Sequence, residues 1–164
     1  MKKHWKGKRS FYPFMLGIVV VIGVLSGCSG KDVKTLDQLS AIEIGKSIEQ
    51  TVSLKEMKKG DLNKLQKLYK LDAVDVDDFI LYTSTSNVKA DELAVIKLKD
   101  ESQAESVKEN IEQRIEAQKM KFKDYRPDEY FLVENHVLKT KGPFVFFAVS
   151  KEADSMERAF DGAF

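Results

Sequence analysis

An apolar run at residues 14–25 divides a basic amino terminus from the rest of the chain and thereby limits what can fold as a domain. The segment before it, residues 2–9, carries five cations and no acidic side chain, and small residues follow it at positions 26 and 27. A charged segment, a short apolar segment and small residues before a cleavage site are typical of a secretory signal. The run has 12 residues, fewer than the roughly 20 that cross a bilayer core. We therefore predict that residues 1–27 are an export signal.

Cys28 is the candidate site of lipid attachment. With Leu25, Ser26 and Gly27 it matches the lipobox that a lipoprotein signal peptidase reads, and its thiol is the nucleophile that accepts a diacylglycerol. Two acyl chains hold a protein on a membrane stably, whereas one chain does so only marginally. We therefore expect a lipid-anchored protein on the extracytoplasmic face of the cell membrane. The alternative is an uncleaved signal anchor with an incidental cysteine, which leaves the domain on the same side of the membrane.

The chain behind the export signal begins with a tether and continues into a domain large enough for its own core. Residues 28–36 contain few apolar side chains, and the eight residues after Cys28 span at most about 30 Å when extended. Removing residues 1–27 leaves 137 of the 164 residues, which can bury a core without metal ions or disulfides. Cys28 is the only cysteine, so no intramolecular disulfide can form. We expect no cofactor and a single domain over residues 37–164.

The charge of the mature chain argues against nucleic acid as a partner. Five of the 27 basic side chains lie in the export signal, so 22 basic side chains face 26 acidic ones after its removal, a net charge near −4. Binding to nucleic acid requires a basic surface, and an anionic lipid surface weakly repels a negative domain. Membrane attachment is therefore expected to come from the lipid. The candidate partner is an envelope protein or a cell-wall component.

The hydrophobic pattern of the mature chain predicts one α+β domain. Asp37 and Asp61 are candidate N-caps of two helices, and the strongest helical pattern follows Asp100, where apolar residues recur every three or four positions. The predicted elements are helices over 37–52, 61–69, 100–122 and 153–160 and strands over 77–84, 93–98, 130–139 and 144–149. The order α-α-β-β-α-β-β-α places two hairpins around one long helix. We therefore expect an antiparallel four-stranded sheet with helices packed on one face.

The segment from Gly60 to Phe160 resembles a known domain family in the order and spacing of its motifs. The residues that carry the resemblance are Gly60-Asp61, Leu68-Tyr69, Asp77-Asp78-Phe79, Glu92 to Lys97, Arg114, Gln118, Phe122, Tyr125, Pro127, Glu129, Gly142 and Phe160. This set is similar to the DUF4358 family, and it covers about 100 residues. The resemblance implies a small lipoprotein of Gram-positive bacteria without an assigned activity, and it supplies no catalytic residues. Phe144 departs from the pattern, since a tyrosine is expected there.

Arg114 and Gln118 are the best candidates for a binding patch. They lie one turn apart on the predicted long helix, beside its apolar stripe, and therefore share a side. Tyr125 and Glu129 follow shortly after and could complete a polar patch at the helix end. The alternative is that Arg114 forms a salt bridge with a nearby carboxylate and Gln118 fills the flank of the helix. Lys97 could contact a ligand between apolar strand neighbours, or it could occupy the exposed face of an antiparallel sheet.

Catalytic and metal-binding chemistry finds little support in the sequence. His136 is the only histidine after the export signal and no nucleophile motif accompanies it, so the expected role is structural, at a strand edge. Asp72, Asp75, Asp77 and Asp78 lack the glycine and the ligand spacing of a calcium loop and predict a solvated turn. We therefore expect neither a metal site nor an enzyme.

Three functional hypotheses follow from these features. The first is a non-catalytic interaction domain for an envelope protein or a cell-wall component, because the sequence has no nucleophile, metal or phosphate-loop motif. The second is a small-ligand binding lipoprotein with a pocket between the sheet and the helices, since the domain is too small for a two-lobed receptor. An enzyme is the third, because carboxylates can act in pairs that a sequence does not reveal.

Overall fold

The computed structural model describes residues 36–164. The predicted export signal, the lipobox of Leu25, Ser26, Gly27 and Cys28, and the tether up to residue 35 lie outside the described residues. Within residues 36–164, no helix is both long and apolar enough to pass through a membrane. A short 3-10 helix, Leu36–Gln38, opens the described chain, so the last residue of the predicted tether is part of a regular element.

The helices and strands follow one another along the described chain in the order α1, β1, α2, β2, β3, α3, α4, β4, β5, α5. The helices are α1 (Ala41–Thr51), α2 (Leu62–Tyr69), α3 (Ala104–Phe122), α4 (Pro127–Glu134) and α5 (Ala153–Asp161). The strands are β1 (Met57–Lys59), β2 (Val76–Ser84), β3 (Glu92–Leu98), β4 (Val137–Lys141) and β5 (Phe144–Val149). Two more 3-10 turns, Ala73–Asp75 and Glu101–Gln103, precede β2 and α3.

The strands form one antiparallel sheet in the order β1-β2-β3-β5-β4. Both predicted hairpins are confirmed, because β2 pairs with β3 and β4 pairs with β5. The sheet has five strands in the described chain rather than the predicted four, since Met57–Lys59 adds an edge strand in which Lys58 lies opposite Thr83. Three residues are too few to produce an alternating pattern, so only the backbone pairing identifies this strand.

Helices cover both faces of the sheet, and the prediction of helices on one face is wrong. On one face, α2, α3 and α4 pack against strand residues such as Ala94 and Phe147. On the other face, α1 and α5 pack against strand residues such as Val95 and Phe146. The reason is that β5 is buried throughout and β3 is buried at all but one position. A strand that is apolar in both directions needs a covering layer on each side.

The helix caps confirm one predicted start and move another. The Asp61 carboxylate accepts a hydrogen bond from the Lys64 amide at 2.8 Å, which makes Asp61 the N-cap of α2, as predicted. In α1 the N-cap is Ser40 rather than Asp37, and the Ser40 hydroxyl accepts from the Glu43 amide at 3.1 Å. Serine and aspartate are both favoured N-caps, so local preference does not choose between these positions.

The strand predicted over residues 130–139 is wrong in its first half. Helix α4 occupies Pro127–Glu134, and β4 begins only at Val137. Pro127 favours a helix start because its fixed φ suits the first helical turn and its missing N–H needs no partner there. Glu129 and Val133, four residues apart, are both buried, as expected for the inner side of a helix.

Helix α3 follows the sequence pattern closely. Its buried side chains are the predicted stripe: Ala104, Val107, Ile111, Ile115, Gln118 and Phe122. The charged residues between them face solvent or cover the edges of the helix. This helix crosses the sheet on the side where α2 and α4 also pack. Helix α3 therefore places the polar residues of its flank near the first residues of β3.

Candidate functional site

Glu92 is a buried carboxylate whose two oxygens are each engaged by two donors. The residue begins β3 and is 2% exposed. The Tyr69 hydroxyl donates to Oε1 at 2.6 Å, and the Nε of Arg114 donates to the same oxygen at 2.7 Å. The second nitrogen of the Arg114 fork pairs with Oε2, and the Gln118 amide donates to Oε2 at 3.0 Å. These four side chains form the Glu92 cluster: Tyr69, Glu92, Arg114 and Gln118.

Neighbouring elements position the members of the Glu92 cluster. Arg114 and Gln118 lie one turn apart on α3 and reach the same carboxylate, which confirms the prediction that they share a side. Arg114 forms the salt bridge named above as its alternative role. Tyr69 ends α2, and its ring packs edge-on against Phe147, with ring centroids 6.2 Å apart. Sequence reasoning misses Tyr69 and Glu92 as site residues, because a glutamate before an apolar strand usually marks a solvated end.

Burial and contacts with Glu92 shift the pKa values of Tyr69 and Arg114. Burial raises the pKa of the Tyr69 phenol well above its usual range, and the nearby Glu92 carboxylate raises it further. Burial opposes the charge of Arg114, but hydrogen bonds to Glu92 and its negative charge outweigh this effect and raise the pKa of the guanidinium. The Tyr69 phenol therefore keeps its proton at neutral pH, and Arg114 keeps its positive charge. The salt bridge between Arg114 and Glu92 depends on both partners, because a buried charge left alone is costly.

A polar cleft of about 690 Å³ opens beside the Glu92 cluster. Its walls come from the connection between β2 and β3, from one residue each of β1 and α2, and from the polar flank of α3. Basic side chains outnumber acidic ones in these walls. The charged residues that line the cleft are Lys58, Lys64, Lys89, Asp91, Glu92, Arg114 and Lys121. The cleft therefore favours a negatively charged ligand.

Lys58 and Lys64 come together at Thr83 in the wall of the cleft. Lys58 lies opposite Thr83 in the pairing of β1 with β2, and the Lys64 ammonium donates to the Thr83 hydroxyl at 2.6 Å. Burial lowers the pKa of Lys64, and the nearby charge of Lys58 lowers it further. Within residues 36–164, neither lysine forms a salt bridge with a carboxylate. This part of the cleft thus concentrates positive charge without a direct counter-charge from the described residues.

Glu129 holds the loop that forms another wall of the cleft. It lies in α4 and is buried. Its Oε2 accepts the Ala90 amide at 2.8 Å, and its Oε1 pairs with Lys89 at 2.6 Å. Lys121 of α3 donates to the Asn87 carbonyl in the same loop at 2.6 Å. Glu129 therefore supports the cleft from behind and does not line it, which differs from its predicted place in a polar patch.

Tyr125 and Lys97 do not join this cleft. Tyr125 is 84% exposed in the turn after α3, outside the cleft lining. Lys97 lies at the other end of β3, where it pairs with Asp77 at 3.2 Å and donates to the Asp37 carbonyl at 3.1 Å. Its side chain is only 12% exposed, so its predicted alternative place on an open sheet face is wrong. The layer of α1 and α5 covers that face.

His136 and the aspartate segment make structural contacts within the fold. The Nδ1 atom of His136 lies 2.7 Å from the Val133 carbonyl, just before β4. Asp78 accepts hydrogen bonds from the amides of Ala41 at 3.0 Å and Ile42 at 3.3 Å, so it joins β2 to the start of α1. In the part of the chain that the structure describes, no three His, Cys, Asp or Glu side chains are grouped closely enough to hold a metal ion.

The fold and the Glu92 cluster define a small α+β domain with a helical layer on each sheet face and a polar cleft at one end of the sheet. A family model described as Domain of unknown function (DUF4358) matches residues 50–150, so the chain belongs to this family. The resemblance found in the sequence is thereby confirmed. The matched segment contains the whole Glu92 cluster and every residue that lines the cleft. No curated protein and no solved structure matches the chain.

Proposed function

We propose that this protein is a lipid-anchored extracytoplasmic binding protein that holds a polar envelope component in the cleft beside Glu92. The observation that carries the proposal is the cleft itself, which has a volume of about 690 Å³ and walls rich in charged and hydroxyl groups. Ligand sites usually have volumes of roughly 300–1,000 Å³ and are largely formed before the ligand binds. The proposal assigns the protein a binding role in the envelope without a chemical reaction.

The engagement of Glu92 supports a binding role over a catalytic one. A general base must reach the proton that it abstracts and must have a free lone pair to accept it. Both oxygens of Glu92 already accept hydrogen bonds from Tyr69, Arg114 and Gln118. The carboxylate therefore acts as a structural centre that fixes α2 and α3 against β3. Walls that are already fixed lose little conformational entropy when a ligand binds, which favours binding.

The position of the cleft on the sheet supports access from outside. The described chain starts at Leu36, whose side chain lies against Gly142 in the turn between β4 and β5. Leu36 and Lys97 border the same shallow depression at that end of the sheet. Glu92 lies at the other end of β3, about 17 Å from Lys97 at the usual rise of a strand. The first described residue therefore lies at the end of the sheet away from the cleft.

A photo-crosslinker in the cleft tests the binding role in intact cells. We expect p-benzoylphenylalanine in place of Asn87, an exposed residue of the cleft lining, to capture a wall polymer or a small envelope ligand. The same group in place of Lys141, exposed in β4 near the tether end, is the matched control and should not capture that species. Captured material is identified by mass spectrometry after digestion of the wall. Equal capture at both positions, or none at Asn87, would contradict the proposal.

The lipid anchor has a separate test. Cys28→Ala should abolish incorporation of labelled palmitate and block maturation, because no thiol remains to accept the diacylglycerol. The full-length precursor should then accumulate on an immunoblot, and the variant also serves as a mislocalised control for the crosslinking experiment. Normal processing of Cys28→Ala would show that residues 25–28 are not a lipobox.

An envelope protein is the second candidate partner. Three apolar side chains near the end of α3 and in α4 are largely exposed, namely Met120, Tyr125 and Phe131. Contiguous exposed apolar patches mark protein-binding surfaces, and α3 and α4, which carry or border these side chains, pack against each other. A photo-crosslinker in place of Tyr125 separates the two candidates, because a protein captured there without any product at Asn87 favours the protein partner.

A further inference from the structure

Three of the five basic side chains in the cleft have no carboxylate partner among residues 36–164. Lys89 pairs with Glu129 and Arg114 pairs with Glu92, so these two charges are neutralised within the fold. The other three are Lys58, Lys64 and Lys121. The cleft walls supply one further carboxylate, that of Asp91. The cleft is therefore positive in a mature chain whose net charge is near −4.

Hydrogen-bond donors converge in the same walls. The Ser84 hydroxyl accepts from the Ser86 amide at 3.1 Å, and the Ser86 hydroxyl accepts from the Val88 amide at 3.4 Å. Each serine therefore keeps its own O–H proton to donate. The Lys64 ammonium uses one N–H on the Thr83 hydroxyl and keeps two more. A carboxylate ligand has only two oxygens to accept these bonds, whereas a phosphate monoester has three terminal oxygens and about two negative charges near neutral pH.

We propose that the cleft binds a phosphorylated, hydroxyl-rich ligand, with its phosphate group between Lys58 and Lys64. Lysine is a frequent phosphate ligand because its compact charge requires no particular orientation of the anion. The serine hydroxyls supply further donors to the phosphate oxygens, and the Asn87 side chain in the adjoining loop lines the same cleft, where it pairs with hydroxyl groups of a sugar or polyol. This inference rests on the proposed binding function and specifies the chemical class of its ligand.

Three six-carbon polyhydroxy probes that differ at one end of the chain test the ligand class. They are glucitol 6-phosphate, glucitol and gluconate, titrated by calorimetry against the full chain extracted from membranes in detergent micelles. We expect glucitol 6-phosphate to bind at least about tenfold more tightly than either other probe, since its phosphate has one more acceptor oxygen and about one more negative charge than the carboxylate of gluconate. Added salt should weaken this binding. Equal affinity for gluconate would overturn the inference, because the lysines would then recognise negative charge alone.

Each lysine proposed to hold the phosphate has a control lysine on the same element. Lys58→Gln and Lys64→Gln should each weaken glucitol 6-phosphate binding by about tenfold, through loss of one charged donor. Lys59→Gln changes the neighbouring exposed residue of β1, and Lys67→Gln changes an exposed residue of α2 outside the cleft. Both controls should remain within about twofold of the unmodified protein. Circular dichroism checks that every variant is folded. Unchanged affinity in folded Lys58→Gln and Lys64→Gln would overturn the assignment of the phosphate position.

Binding to isolated cell walls distinguishes a polymer from a free metabolite as the source of the phosphate. Walls treated with alkaline phosphatase lose their phosphate monoesters, so protein retained on untreated walls but not on treated walls identifies a wall-bound phosphate monoester. Retention on neither, together with glucitol 6-phosphate binding, identifies a soluble ligand. If all phosphate probes fail while Asn87 still captures a ligand, the inference is wrong and the proposed function stands. If capture at Asn87 also fails, both are wrong.

Discussion

Replacing Glu92 with alanine is expected to lower the free energy of unfolding by about 3 kcal/mol, because Arg114 then loses its counter-charge in a mostly buried position. The Arg114 side chain is 23% exposed, and this partial access to water keeps the loss at the lower end of the range for buried pairs. Tyr69 and Gln118 lose their acceptor in the same variant. Urea unfolding followed by circular dichroism measures the change.

A double-mutant cycle assigns this loss to the pair. Combining Glu92→Ala with Arg114→Met should cost less than the sum of the two single changes by at least about 1 kcal/mol, since the second change removes the unpaired charge. Glu112→Gln alters an exposed carboxylate on the same helix and should change stability by less than about 0.5 kcal/mol. A loss below about 1 kcal/mol for Glu92→Ala would show that the Glu92 cluster does not hold α2 and α3 in place.

Phe147→Ala is expected to lower the free energy of unfolding by about 3–5 kcal/mol, because it removes a large buried ring and leaves a cavity. Phe147 lies in β5 and is completely buried. Its ring contacts the ring of Tyr69, whose hydroxyl reaches Glu92. The cavity should therefore also loosen the wall of the cleft. Thermal unfolding gives the loss of stability, and hydrogen exchange at the amides of β3 reports the local effect.

Phe131 offers a control with the same chemical change. It lies in α4 and is 63% exposed, so Phe131→Ala removes little buried surface. Its expected effect on stability is within about 0.5 kcal/mol. Similar losses for the two phenylalanine variants would contradict the placement of Phe147 in the core on the α3 face of the sheet.

The candidate site could be predicted only in part. The helical period places Arg114 and Gln118 on one side of α3, and the structure confirms this. Their shared acceptor, Glu92, precedes them by more than 20 residues, and no local pattern identifies it as buried. Tyr125 lies near α3 in sequence but its side chain points to solvent. Proximity in sequence therefore predicts two of the four residues of the Glu92 cluster, together with Tyr125 and Glu129, which lie outside it.

The fold shows the same division between local and distant information. Hydrophobic periods, which neighbouring residues define, predict the two hairpins, the long helix and its apolar stripe. The edge strand Met57–Lys59 depends on pairing with β2 and has no pattern of its own. The second helical layer could have been inferred from β3 and β5, because their apolar residues point to both faces.

Residue order is enough to predict the α+β class, the antiparallel hairpins, the core side of α3 and membership in the DUF4358 family. These properties depend on residue order and on the hydrophobic period, which is two residues in strands and about 3.6 residues in helices. Neighbouring residues alone define such periods. That Glu92, Tyr69 and Arg114 meet beside a positive cleft becomes visible only when the elements are packed together. Such contacts join residues far apart in the chain, and the packing of separate elements alone brings them within hydrogen-bonding distance.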